Sequence, residues 1–162
     1  MISIIENDLL RVTVNSFGAE LQSICRKDTD TEYLWQGDPA FWSDRAPNLF
    51  PICGRLVEGK YIYDGVTYEM DIHGFAKDLE WKVIHQTPDT LTLQLKTTPK
   101  TLATYPWVFS LEMVYALTDN TLSVATILHN LDEKPLLFAM GGHPGFNVPL
   151  TPGEAFSDYF IQ

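Results

Sequence analysis

Apolar residues recur at every second position in run after run of this 162-residue chain, and that period specifies strands. Leu10, Val12 and Val14 alternate with Arg11 and Thr13, and Leu91, Leu93 and Leu95 alternate with Thr92 and Gln94. Phe109, Leu111, Met113, Tyr115 and Leu117 keep the pattern, and Leu122, Val124, Thr126 and Leu128 repeat it. Each run puts one face on a core and the other in water or on a second layer. The punctuation between runs is hairpin chemistry. Asp64-Gly65 sits between Tyr61-Ile62-Tyr63 and Val66-Thr67-Tyr68, and Asp-Gly readily takes the two positive φ angles of a type I′ turn. Pro88-Asp89, Asp119-Asn120 and Asp132–Pro135 close the later runs. Helical periodicity is nearly absent, the best candidate being a short turn near Pro39–Ser43. Successive hairpins with little helix predict an all-β fold, an antiparallel β-sandwich or barrel.

Composition narrows the partners. With 45% hydrophobic and 20% charged residues the chain reads as one globular domain over residues 1–162. Eleven Lys plus Arg against 21 Asp plus Glu give a net charge of −10, which argues against nucleic acid and against anionic membrane surfaces as partners. No run approaches the roughly 20 apolar residues that cross a bilayer. The N-terminus MISIIENDLLRV lacks a basic region and carries Glu6 and Asp8 where a signal peptide keeps its apolar stretch, so a cytoplasmic location is expected. Cys25 and Cys53 lack the spacing of a disulfide framework or a zinc site and read as reduced core thiols. The final run, Glu154–Gln162, is aromatic and β-favouring with no turn after it, and reads as a strand cut short.

Three segments break the alternation: WQGDPAFWSDRAPNLFPICGRL from Trp35 to Leu56, DIHGFAKD from Asp71 to Asp78, and GGHPGFNVP from Gly141 to Pro149. Long irregular connections on a β scaffold are where sites are found. Of the four histidines, His85 lies inside an alternating run and His129 ends one beside Asn130, positions that suit packing, an edge or a cap. His73 and His143 differ, because each follows a strand end, touches glycine and is trailed by an aromatic residue that can stack on a sugar or base face. Neither supplies the third ligand and paired spacing of a zinc site, so no metal is expected. Arg55, after Gly54, can present its fork of donors to a hydroxyl, carboxylate or phosphate, or pair with a surface carboxylate. Phosphate-loop, dinucleotide and nucleophile-elbow motifs are missing, and no cofactor is expected.

Read together, NLFPICGRLVEGKYIYDGVTYEMDIHGFAKDLEW and the later GGHPGFNVPL resemble the aldose 1-epimerase (galactose mutarotase) family, most closely its LacX-like bacterial branch. The ordered motifs FP..GRL, HGFA.D and GGHP.FN carry the resemblance, which runs from about Leu9 onward. It implies a galactose mutarotase-like antiparallel supersandwich with a sugar site on its concave face. It further implies that His143 protonates the sugar ring oxygen, that His73 holds the sugar near that oxygen, and that Arg55 bonds sugar hydroxyls. The reaction would interconvert α and β anomers of a hexose through the open-chain aldehyde. Histidine suits the acid role because its ordinary pKa, about 6.5, lies near working pH. The resemblance also implies that members are longer, with the general-base glutamate and a sugar-binding aspartate in a C-terminal part. This chain would then be an incomplete domain, a truncated sandwich whose unpaired strand edges favour self-association. Glu20, Glu58, Asp71 and Asp78 match no family base.

Other readings stay open. Trp35, Trp42, Phe75 and Phe146 could stack on sugar rings in a non-catalytic carbohydrate-binding protein. A purely structural β domain would use both histidines in packing. Arg45, Arg55 and Lys77 would meet a hexose phosphate if they converged.

Overall fold

The alternating runs fold as strands where their period places them. The computed structural model describes residues 1–161. The first sheet takes β1 (Ile2–Glu6), β2 (Leu10–Asn15), β3 (Glu20–Arg26) and β4 (Thr31–Glu32) in that order, each antiparallel to its neighbour. A two-residue strand, β5 (Asn48–Leu49), follows the proline-rich segment. The hairpin of β6 (Lys60–Tyr63) and β7 (Val66–Glu69) turns at Asp64-Gly65 with φ of 49° and 75°, the two positive angles expected there. The second sheet has the order β11-β10-β9-β8 and is built from β8 (Lys82–Gln86), β9 (Thr90–Lys96), β10 (Phe109–Thr118) and β11 (Thr121–Asn130). Finally, β12 (Gly141–Gly142) returns to pair with β5.

The first sheet packs over β9 and β10, and one apolar cluster fills the space between. Val12 and Val14 of the first sheet and Leu91, Leu93, Phe109, Leu111 and Tyr115 of the second share that cluster, and all are buried. Full burial of such a side chain stabilises the fold by roughly 1.5–3 kcal/mol. The chain is all-β and antiparallel, as its period implied, and of the sandwich and the barrel it takes the sandwich.

One local expectation holds and three give way. The short turn expected near Pro39–Ser43 does form: the amides of Phe41 and Trp42 both donate to the Asp38 carbonyl, at 3.0 and 2.9 Å, and it goes no further. The one α-helix of the described residues is α1 (Pro99–Thr104), which Thr98 caps by accepting from the Thr101 amide at 3.2 Å, with Pro99 opening the first turn. The Leu122–Leu128 face becomes core only at its ends: Leu122 and Leu128 pack against the cluster, while Val124, on the edge strand β11, stays 46% exposed with no layer over it among the described residues. Cys25 is half-buried and Cys53 exposed, both free thiols, because the Cys53 turn lies on the surface rather than in the cluster. The C-terminal run forms a 3₁₀ turn over Phe156–Asp158 and an exposed extension instead of a strand, with no ladder partner among the described residues. Gln162, the last residue of that run, lies outside the described residues. No helix of the described residues is long and apolar enough to cross a membrane.

Candidate functional site

The three irregular segments meet at one place, and the residues that hold them there are spread along the chain. Asn48 anchors the first. Its side-chain amide donates to the carbonyls of Gly18 (3.0 Å) and Ala19 (2.9 Å) and to the Tyr115 hydroxyl (3.3 Å). Glu20 holds the same segment by accepting from the amides of Arg45 (3.0 Å) and Ala46 (2.9 Å). A carboxylate that satisfies two loop amides is a structural anchor, and it is not directed at either histidine.

The second segment is clamped onto Phe50. The Phe50 amide donates to the His73 carbonyl (3.3 Å), and the Phe50 carbonyl accepts from the amides of Phe75 (3.0 Å) and Ala76 (3.2 Å). Gly74 has φ of 76°, and a Cβ there would sit 2.2 Å from the Phe50 carbonyl oxygen, so only glycine lets the turn approach this closely. His73 itself adopts φ of 67°. Its amide donates to the Gly54 carbonyl (2.8 Å), while the Gly54 amide donates to His73 Nδ1 (3.0 Å). Because Nδ1 is thereby an acceptor, the proton of the neutral ring resides on Nε2, which becomes a fixed donor on the other side of the imidazole.

The third segment returns along the first. Gly141 and Gly142 pair with Leu49 and Asn48, the His143 amide donates to the Pro47 carbonyl (3.2 Å), and the Gly145 amide donates to that of Arg45 (2.8 Å). The Asn147 side chain donates to the carbonyls of Glu32 and Leu34, each at 2.9 Å, and stitches the segment to the end of β4.

These constraints bring the two singled-out histidines together. The rings of His73 and His143 lie 5.6 Å apart between centroids, inclined at 59°. His143 is exposed and His73 half-buried. Trp42 also packs against His143, with ring centroids 5.1 Å apart and the planes inclined by 53°. Arg55 follows Gly54, the residue bonded to His73, and is exposed; its side chain has no hydrogen-bond or ion-pair partner among the described residues. The surface salt bridge that an isolated arginine suggests is therefore not formed there. His85 on β8 and His129 on β11 are exposed and stand apart from this cluster.

Other candidates are committed elsewhere. Phe75 is half-buried against the core, edge-on to Phe50 at 5.9 Å and stacked with Phe109 at 6.1 Å, so much of its ring is engaged in packing. The Arg45 guanidinium donates to the Gln22 carbonyl (2.6 Å) and Gln36 Oε1 (2.9 Å), and Lys77 pairs with Asp78 at 2.8 Å. The three cations of the phosphate reading thus do not act as one free cluster. No group of three or more His, Cys, Asp or Glu among the described residues is disposed to hold a metal ion.

A family model for aldose 1-epimerase matches residues 1–159. The chain belongs to the aldose 1-epimerase family. Two relatives from Lactococcus lactis subsp. lactis, the plasmid and chromosomal forms of protein LacX, are each 35% identical over 98% of this chain and 54% of their own length. Among solved structures, a galactose mutarotase related enzyme from Lactobacillus acidophilus is 39% identical with a TM-score of 0.93, over 96% of this chain and 52% of that one. A galactose mutarotase-like protein from Lactobacillus casei is 38% identical with a TM-score of 0.90, over 94% and 52%. The aldose 1-epimerase-like chain therefore spans about half the length of the relatives it matches.

Proposed function

We propose that this chain carries the acid and the sugar-holding residues of an aldose 1-epimerase site that interconverts the α and β anomers of a hexose. The observation that carries the reading is the pair of imidazoles 5.6 Å apart on two glycine-flanked turns, in a chain of this family. In this reading His143 gives a proton to the sugar ring oxygen as the bond between that oxygen and the anomeric carbon breaks. A base takes the proton of the anomeric hydroxyl, and the open-chain aldehyde results. Rotation about the bond next to the aldehyde and reversal of the steps give the other anomer, with no net change in atoms or charge. His73, its Nδ1 held by the Gly54 amide, offers Nε2–H to the sugar near the ring oxygen. Arg55, exposed and unengaged by the described residues, donates to sugar hydroxyls.

No carboxylate among the described residues hydrogen-bonds or ion-pairs with either ring. The reading assigns the base to the part of the family's length that lies outside this half, acting on the opposite face of the sugar. With Arg45 and Lys77 engaged by neighbours, a neutral hexose is favoured over a hexose phosphate.

Anomer exchange of galactose and glucose, followed by polarimetry or NMR on the longest natural form of the protein, tests the reading. His143→Asn is expected to lower the catalysed rate by about 10²–10⁴-fold, the usual contribution of a positioned acid. An unchanged rate would sink the assignment. A non-catalytic sugar-binding protein is the second reading, supported by the indole beside His143. Saturable binding of a hexose by calorimetry without any exchange activity selects it.

A further inference from the structure

We propose that Trp42 is the positioning residue for His143, its indole fixing the angle at which the imidazole faces His73. The inference takes from the mutarotase reading only the consequence of that orientation for the reaction.

His143 needs such a support. Its backbone amide is bonded to Pro47, but no ring nitrogen has a hydrogen-bond partner among the described residues, and the side chain is exposed. An exposed side chain left to itself moves between rotamers in picoseconds to nanoseconds. The aromatic neighbours of the ring are His73, at 5.6 Å, and Trp42, at 5.1 Å and inclined by 53°. His73 is the group to be faced, so Trp42 is the wall.

That wall is itself built. The Trp42 amide donates to the Asp38 carbonyl (2.9 Å), and the Trp42 carbonyl accepts the indole N–H of Trp35 (2.8 Å). The edge of the Trp42 ring runs against Gly145. A Cβ at Gly145 would lie 2.9 Å from Trp42 Cζ3 and 2.9 Å from Trp35 Cβ. The φ of Gly145 is not positive, so the backbone does not call for glycine there; the two tryptophans do. The glycine two residues after His143 thus makes the room that lets Trp42 reach His143. The Trp35 amide also donates to the Gly145 carbonyl (2.9 Å), which ties the wall and the histidine turn into one unit.

The test has a spectroscopic arm and a kinetic arm. In the 162-residue chain, the ring-proton NMR resonances of His143 carry the ring-current shift of the indole. Trp42→Ala is expected to move them toward unstructured positions, Trp42→Phe to retain most of the shift, and neither to move those of His85 or His129. Gly145→Ala should displace the indole and move the same resonances, and less so when combined with Trp42→Phe, whose smaller ring leaves space. If Trp42→Ala fails to fold, Trp42→Leu and Gly145→Ala carry this arm. In the longest natural form, Trp42→Ala is expected to lower kcat by roughly tenfold or more, with KM within about twofold and most of the loss restored by Phe. His143 resonances indifferent to Trp42 would overturn the proposal. So would a raised KM with unchanged kcat, which would make the indole a stacking platform for the sugar instead. Absence of anomer exchange in the wild-type protein would end the mutarotase reading and leave the resonances to decide the orientation.

Discussion

Strands β10 and β11 carry the same alternation and share a ladder from Phe109↔Asn130 to Thr118↔Thr121, yet their side chains are covered to different degrees. On β10, Phe109, Leu111, Met113, Tyr115 and Leu117 are all buried beneath the first sheet. On the matching face of β11, Leu122 and Leu128 are half-buried against the cluster, while Val124 and Thr126 stay exposed. The lesson is that a period of two identifies a strand and its two faces, while cover is supplied by whatever packs on top. The same division runs through the site: the turns that hold His73 and His143 rest on the covered part of the sandwich, anchored through Asn48 to Tyr115.

Four measurements press on this comparison. The largest effect belongs to the covered strand. Leu111→Ala is expected to lower the free energy of unfolding by about 2–5 kcal/mol in urea, and a loss below about 1 kcal/mol would mean that the cover is loose. Next comes the anchor between cover and site. Asn48→Ala leaves the Gly18 carbonyl without its side-chain donor and should cost roughly 1–3 kcal/mol.

A smaller effect is tied to pH. Burial pushes the Tyr61 hydroxyl up to about 12, and raises those of Tyr105 and Tyr115 as well. All three pack in or against the shared cluster, and β11 carries no tyrosine. Below the ordinary value of about 10 these phenols are protonated in the folded and unfolded chains alike. Above it the unfolded chain ionises first, so the folded state binds more protons and stability falls between about pH 10 and 12. Denaturation midpoints that hold steady across that window, or tyrosines that all ionise together near 10 in the folded protein, would contradict this. The smallest effect belongs to the uncovered strand: Val124→Ala is expected to change stability by no more than about 0.5 kcal/mol. A value comparable to that of Leu111→Ala would show that β11 is covered in solution, by another copy of the chain or by another polypeptide.

Much of the framework was legible in residue order. Strand positions followed from alternation, and the Asp64-Gly65 turn from its dipeptide, because both depend on φ/ψ preferences within a few residues. The short helix was legible in principle from Thr98-Pro99, a cap followed by a first-turn proline, but it has too few turns to show a period. The candidate histidines were legible from their glycines. Their partners were not. Trp42 and His143 stand about a hundred positions apart, and Gly145 reads as a turn glycine until Trp42 is seen against it. Glu20 reads as a spare carboxylate until the Arg45 and Ala46 amides are found on it, and Phe75 reads as a stacking surface until Phe50 and Phe109 are found on its faces.

By itself, then, the order of residues determined that this protein is an all-β, antiparallel fold with sharp glycine–histidine turns, since backbone sterics and side-chain alternation act locally. Only the tertiary structure decided which alternating face is buried, that His73 and His143 converge, that Arg45 and Lys77 are engaged while Arg55 has no partner among the described residues, and that an indole packs on the exposed histidine. Those outcomes depend on contacts between segments far apart in the chain, which are selected together by close packing and by the satisfaction of buried polar groups.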